Sequence, residues 1–255
     1  MSNAAAQILA KARLNREKLS EYPCAEPANV DEALAIQDAV MIALDDSIAG
    51  WKLGCTSPQA QAALKADGPI FGPVPSSRLF SSGADIPLGN ASPTFVEAEI
   101  AVTLGDDLPP KPGGYRVEEV YGAVRSIHPS IELVSRRLPG GIADGVLWTT
   151  ADGSLNDALI LGAGTHDLPM EQLPSIQVEA LLNGEPVSRG AGENALGGAH
   201  EALAWLANEF SMRGRTLHKG DLITTGLIAD LIAIEPGDTF EARYSEIGSV
   251  KARFP

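Results

Sequence analysis

The chain has 255 residues, 44% hydrophobic and 20% charged, with a formal net charge of −14. That length and balance support a large core in one domain, or one domain with an added segment. The acidic excess argues against a nucleic-acid or anionic-membrane surface, both of which need a positive footprint. An anionic small molecule stays open, because a bound cation inverts the local field.

The two cysteines, Cys24 and Cys55, make neither a disulfide framework nor a zinc spacing. No stretch reaches the roughly 18 apolar residues of a membrane span. The N-terminus shows no basic region followed by an apolar core, so a cytoplasmic protein is expected. With 26 Gly and 18 Pro spread along the chain, the body should be strand-rich with many turns.

Residues 4–20 read as a helix, with Ile8, Leu9, Ala12 and Leu19 among Lys11, Arg13, Arg16 and Lys18, ended by Tyr22-Pro23. A second helix covers about 30–46. Asn29 caps it, Glu32 completes a capping box, and Ile36, Val40, Ala43 and Leu44 form its buried face. The two helices make an N-terminal segment, residues 1–48, packed on a body of residues 49–255 with no linker between them.

Gly50 to Cys55 reads as a short strand, with Lys52 on the face opposite Trp51 and Leu53. A lysine there either snorkels at an edge or is held beside anionic groups. Ser57 can cap a short helix through Lys65, and Gly68 to Pro75 is a rigid loop, a pocket wall or a tight crossing. Phe95 to Leu104 is a strand that turns at Gly105-Asp106-Asp107. Alternation puts Glu97 and Glu99 on one face, about 7 Å apart, and Val96, Ala98 and Ile100 on the other. Two such carboxylates are either solvated or bridged by something positive.

Val117, Val120, Tyr121 and Val124 mark a helix that His128-Pro129 should stop. Ser130 to Val134 is a strand carrying Glu132, for which Arg136 or Arg137 is the nearest ion-pair partner. Leu138 to Gly145 is a Gly-rich loop, Ala158 to Leu161 a buried strand, and Val178 to Val187 a hairpin turning at Asn183-Gly184. A helix over 199–213 buries Leu203, Leu206, Ala207 and Phe210 and ends at Gly214. Gly220 to Gly226 is a strand, and two more follow, around 231–234 and 239–254.

In order, Gly50-Trp51-Lys52-Leu53-Gly54, Phe71-Gly72, Glu97-Ala98-Glu99-Ile100-Ala101, Pro129-Ser130-Ile131-Glu132-Leu133-Val134, Asn183-Gly184 with Leu196-Gly197, Ala202 to Asn208, and Gly220-Asp221 with Thr225-Gly226 form a set. It resembles the 2-keto-4-pentenoate hydratase branch of the fumarylacetoacetate hydrolase superfamily, from about residue 30 to the C-terminus. No single motif is specific; the ordered set is, more for the superfamily than for the reaction.

The resemblance implies an α+β fold, with fumarylacetoacetate-hydrolase-like rolled mixed β-sheets around a metal pocket and the N-terminal helical segment outside. It implies Mg²⁺ or Mn²⁺ held by Glu97, Glu99 and Glu132, and an all-carboxylate set suits such a hard cation on its own chemistry. By the same resemblance Lys52 and Asp152 are catalytic, and Ser154, Thr225 and Phe71 bind substrate. Lys52 would hold the substrate's 2-oxygen or carboxylate and shuttle protons. For Ser154 and Thr225, a turn hydroxyl satisfying local backbone is the competing reading.

The implied activity is hydration of a 2-hydroxy-2,4-dienoate to a 4-hydroxy-2-oxo acid in aromatic-compound degradation, by a homo-oligomer acting on a small 2-oxo acid. The alternatives are a 4-oxalocrotonate-type decarboxylase, an acylpyruvate C–C hydrolase, and an inactive paralogue that only binds a small acid. Two positions depart from the pattern. Ile70 stands where hydratases commonly carry an acid, with Asp67 near in sequence, and Asp152 is followed by Gly153-Ser154-Leu155-Asn156-Asp157. His128 is either an acid/base group near Glu132 or a helix-end histidine satisfied by backbone.

Overall fold

Alternating apolar runs broken by Gly and Pro favour strands, and the computed structural model, which describes residues 2–89, 94–166 and 168–255, is built mainly of them. In chain order it runs α1 (Ser2–Asn15), α2 (Val30–Leu44), β1 (Ile48–Gly54), α3 (Pro58–Leu64), β2 (Ile70–Pro75), β3 (Leu79–Ser81), β4 (Thr94–Leu104), α4 (Val117–Gly122) and β5 (Val124–Ser135). Then follow α5 (Gly145–Ala151), β6 (Asn156–Leu161), β7 (Gln177–Leu182), β8 (Glu185–Ala191), α6 (Ala199–Met212), β9 (Leu222–Leu227), β10 (Ile232–Ile234), β11 (Thr239–Tyr244) and β12 (Gly248–Arg253).

One sheet has the order β2-β1-β9-β4-β5-β6-β3, with β10 also on β4; the other has the order β12-β11-β7-β8. The first is mixed, since β1 pairs with β9 and β3 with β6 in parallel. Both sheets are open rather than closed into a barrel. Val96, Ala98, Ile100 and Val102 of β4 share one buried cluster with Ile131 and Leu133 of β5, Phe240 and Ala242 of β11, and Leu203, Leu206 and Phe210 of α6. That commits one face of the β4–β5 ladder to the core and frees the other for Glu97, Glu99 and Glu132.

The N-terminal helices pack through Leu9, Ala33, Ile36 and Val40 onto Trp148 and Ala151 of α5. Asn29 caps α2 as expected, accepting from the Glu32 N–H at 2.9 Å. The Glu32 carboxylate returns to the Ala28 N–H, one residue before the cap. No helix among the described residues is long and apolar enough to cross a membrane.

Four expectations change. α1 ends early, at Asn15, because Arg16 turns left-handed (φ 50°). The helix expected up to His128 is only α4; His128-Pro129 lie inside β5, which pairs with β4 along its whole length. The Gly/Pro stretch before Pro75 is the strand β2, not a loop; its prolines are tolerated because β2 is an edge strand. The final stretch is the hairpin β11–β12, turning through Gly248 at φ 88°.

Gly72 sits where β2 meets the loop after α5. A Cβ there would lie 2.3 Å from the Gly153 carbonyl oxygen, whereas at Gly68 it would meet nothing within 4 Å. Gly72→Ala is therefore expected to lower unfolding stability by about 2 kcal/mol or more, and Gly68→Ala to change it by less than about 0.5 kcal/mol. Urea unfolding midpoints compare the two.

Candidate metal centre

Strand alternation aims Glu97 and Glu99 to one side of β4, and Glu97 lies directly opposite Glu132 on β5. One carboxylate oxygen from each of the three lies within 4.8 Å of the others. Glu99 and Glu132 are fully buried and Glu97 half-buried. Their positions are fixed from behind. The Gly226 N–H donates to Glu99 Oε2 at 3.0 Å, and Asn156 Nδ2 donates to Glu132 Oε1 at 2.9 Å. The Tyr244 hydroxyl, reaching from the other sheet, donates to the Glu99 carbonyl at 2.7 Å and lies 3.0 Å from that of Ser130.

Lys52 is buried beside them, its Nζ 3.1 Å from Glu132 Oε2 and donating to the Ser154 carbonyl at 3.0 Å. The strand lysine is thus the one held by anions, and Glu132 pairs with it rather than with Arg136 or Arg137. Burial pulls the Lys52 pKa down, but Glu132, Glu97 and Glu99 outweigh it and hold it above the usual lysine value. Burial drives the Glu99 carboxyl well above the carboxylate range, with Glu132 and Glu97 adding repulsion. Burial likewise raises Glu132 to about 7, although Lys52 opposes it.

The donor set fits a divalent cation. Among the described residues, Glu99 Oε1 is buried with no hydrogen-bond donor, and Glu132 Oε2 has no partner but the Lys52 ammonium at 3.1 Å. Orphaned carboxylate oxygens that converge, with no softer ligand among them, suit a hard oxygen-seeking ion.

The other expected site residues sit around this cluster. Asp152 is buried in an ion pair with Arg137 (2.9 Å), with Arg13 of α1 at 4.0 Å. Arg13 and Arg137 also donate to the Asp152 carbonyl, at 3.0 and 3.2 Å. Burial and the neighbouring Arg137 lower the Arg13 pKa to about 9. These arginines hold a stretch in which Gly153, Ser154 and Leu155 are all left-handed (φ 67°, 56° and 66°). The Ser154 hydroxyl donates to the Phe71 carbonyl at 2.7 Å, and Thr225 donates to the Ile100 carbonyl at 2.8 Å. The Phe71 ring packs against Trp51 and Phe210, which also touch each other.

A cavity of about 230 Å³ opens beside the cluster, lined by Lys52, Glu97 and Ser154 and, more widely, by apolar side chains including Cys55, Ile70, Phe95, Val134 and Leu227. Asp152, Thr225, Phe71 and His128 are not on its wall. Ile70 is on the wall, while Asp67 is exposed and outside it. His128 is engaged by the Gly162 carbonyl at 3.1 Å and Ser126 Oγ at 2.9 Å. A wider cleft of about 610 Å³ near α1 is lined by Arg13, Arg78 and Asp157, already drawn into ion pairs, and lacks the carboxylate cluster.

Sequence reasoning missed Asn156, Arg13 and Arg137. Asn156 was visible in the segment after Asp152, but its aim at Glu132 depends on the left-handed turn before it. The arginines gave no local signal, because Arg13 acts on Asp152 across 139 residues of chain.

Residues 50–255 match the family model described as fumarylacetoacetate (FAA) hydrolase C-terminal. The chain is 35% identical over 235 residues to the 2-keto-4-pentenoate hydratase of Paraburkholderia xenovorans, covering 89% of this chain and 84% of that one. It is 31% identical over 209 residues to a 4-oxalocrotonate decarboxylase of Pseudomonas putida, covering 82% and 78%. The structure of the 4-oxalocrotonate decarboxylase from Pseudomonas putida G7, complexed with magnesium and adipate, superposes with a TM-score of 0.86 at 26% identity, over 100% of this chain and 97% of that one.

If the cluster holds a cation, Mg²⁺ or Mn²⁺ raises the melting temperature of the chelator-treated protein, and Glu99→Gln abolishes that rise without lowering the metal-free melting temperature. Burial, with Glu132 and Glu97 alongside, disfavours a charge at this position, so a neutral amide of the same shape costs the metal-free fold little. The pH dependence has a fixed sign. A cation binds the ionised carboxylates, and Glu132 ionises only near about 7. Apparent affinity therefore rises with pH up to that region, about tenfold per unit for each proton displaced. Calorimetry in buffers of different ionisation enthalpy reads the proton release.

Proposed function

This chain belongs to the fumarylacetoacetate hydrolase family, and from that premise we propose that it is a divalent-metal-dependent hydro-lyase. It hydrates a 2-hydroxy-2,4-dienoate of the 2-keto-4-pentenoate type to a 4-hydroxy-2-oxo acid, in the degradation of aromatic compounds. The observation that carries this is the convergence of Glu97, Glu99 and Glu132 beside a buried Lys52 at the end of an apolar cavity. The hydratase relatives at 30–35% identity support the reaction class.

Glu97, Glu99 and Glu132 would hold Mg²⁺ or Mn²⁺. That ion, when bound, supplies Lewis acidity toward the carboxylate and 2-oxygen of a 2-oxo acid. Lys52 Nζ, 3.1 Å from Glu132 and held above the usual lysine value chiefly by that carboxylate, is placed to donate to an oxygen that gains negative charge as the dienol becomes a keto form. The same ammonium, on the cavity wall, is placed to supply a proton to the substrate carbon chain. Asn156 fixes the Glu132 rotamer, and the Ser154 carbonyl fixes Lys52 Nζ. The apolar wall of Phe95, Val134 and Leu227 takes the substrate tail and limits stray water. Asp152 acts here as a positioning residue: paired with Arg137, it shapes the turn that presents Ser154.

A second reading, decarboxylation of a 4-oxalocrotonate-type acid, is favoured by the decarboxylase with which the fold superposes at a TM-score of 0.86. Both reactions ask the same residues to stabilise charge on the same oxygen. The reading also takes the protein as a cytoplasmic homo-oligomer whose N-terminal helices, residues 1–48, work as one unit with the body. Arg13 on Asp152 supports the second part. Exposed Leu14, Ile42 and Met212 offer apolar surface for self-association.

With Mg²⁺ or Mn²⁺, the ultraviolet absorbance of freshly made 2-hydroxypenta-2,4-dienoate is expected to fall, giving a product one water heavier by mass. Lys52→Met should lower kcat by at least about a hundredfold. Stable absorbance, together with carbon dioxide release from 4-oxalocrotonate, would move the assignment to the second reading. An acid that raises the melting temperature without being consumed would mark an inactive binder.

A further inference from the structure

Ile70 opens β2 directly opposite Gly54 of β1. Lys52 and Gly54, two residues apart on β1, share a strand face. A side-chain carbon at Gly54 would lie 3.3 Å from both Ile70 Cγ1 and Lys52 Nζ, so the isoleucine and the ammonium meet over the bare glycine. A substrate chain that leaves the carboxylates past Lys52 therefore runs toward Ile70, with Phe95, Val134 and Leu227 beside it.

Behind Ile70 lies a second cavity of about 220 Å³, nearly the size of the first at about 230 Å³. Its walls include Leu34 of α2, Pro69, Val146 of α5 and Trp205 of α6, and neither Lys52 nor the three carboxylates line it. Among the described residues, Ile70 is the one side chain on the walls of both cavities. It is 8% exposed, and its β-branch leaves few χ1 alternatives, so the partition is stiff. The backbone around it is tied as well. Gln37 Nε2, buried on α2, donates to the Phe71 carbonyl at 3.0 Å and to the Thr150 carbonyl at 2.7 Å, which holds β2 against α5. What separates the two spaces here is a side chain rather than a strand.

We propose that Ile70 is a specificity-determining residue that ends the tail subsite and restricts the chain to 2-oxo acids, or their dienols, with short apolar tails. The second cavity is then latent room for a longer hydrocarbon tail, closed by three side-chain carbons beyond Cβ. The inference deepens the proposed function and rests on its metal centre, which seats the head of the acid.

The test uses 2-oxopentanoate and 2-oxooctanoate, which share that head and differ by three methylenes. Calorimetry measures their binding to the Mg²⁺- or Mn²⁺-loaded protein. The parent protein is expected to bind the longer acid no more tightly than the shorter. In Ile70→Ala the longer acid should gain at least about tenfold over the shorter, since each newly buried methylene is worth about fourfold. Ile70→Val, the milder change, should move the ratio in the same direction by less. Leu231→Ala widens the first cavity on a wall that the second does not share, and should leave the ratio as in the parent. Melting curves confirm that the variants are folded. A parent that already gains about fourfold per methylene, an Ile70→Ala ratio equal to the parent's, or an equal gain in Leu231→Ala overturns the partition and leaves the metal centre standing. Binding of neither acid to the parent overturns both.

Discussion

Three carboxylates, two of them fully buried, are forced to within 4.8 Å of one another, and the rest of the site answers to that constraint. At the separations seen here, two like charges cost roughly 4 kcal/mol at an effective dielectric of about 20, and one lysine cannot offset three acids. The cluster must take up protons or a cation: burial first, and then the neighbouring carboxylates, push the Glu99 and Glu132 carboxyls upward. The strands cannot relax apart, because their opposite face is locked into the core through Val96, Ala98, Ile131 and Leu133. Rigid backing converts repulsion into affinity for a cation.

A second buried charge network sets the geometry of the first. Asp152, Arg137 and Arg13 occupy the joint between the N-terminal helices and the sheet. Their hydrogen bonds hold successive left-handed residues, a conformation that costs on the order of 1–3 kcal/mol for each non-glycine residue. What the strain yields is position: the Ser154 carbonyl reaches Lys52, and Asn156 reaches Glu132. An arginine on the first helix thereby helps to position the groups that meet Lys52 of β1 and Glu132 of β5.

The relatives include both hydratases and a decarboxylase at similar identity. Under the proposed function one site would serve both, since each reaction would build negative charge on the 2-oxygen and differ in what happens further along the chain. The discriminating residues should therefore lie on the tail side of the cavity. Here that side carries Ile70, Phe95 and Val134, an apolar run.

Much of this was legible in the chain itself. Alternation alone put Glu97 and Glu99 on one face, and the ordered motifs brought in Glu132 and Lys52, because strand periodicity and short motifs are local properties. Asn29, Ser57 and Gly214 end their helices by chemistry within one turn. What the sequence left undecided was long-range: whether Lys52 met the carboxylates or solvent, and which arginine took which acid. His128-Pro129 reads locally as a helix stop, yet pairing with β4 drew it into a strand. Those outcomes depend on cross-strand register and on contacts between residues far apart in the chain, such as Arg13 with Asp152, and only packing in three dimensions fixes them.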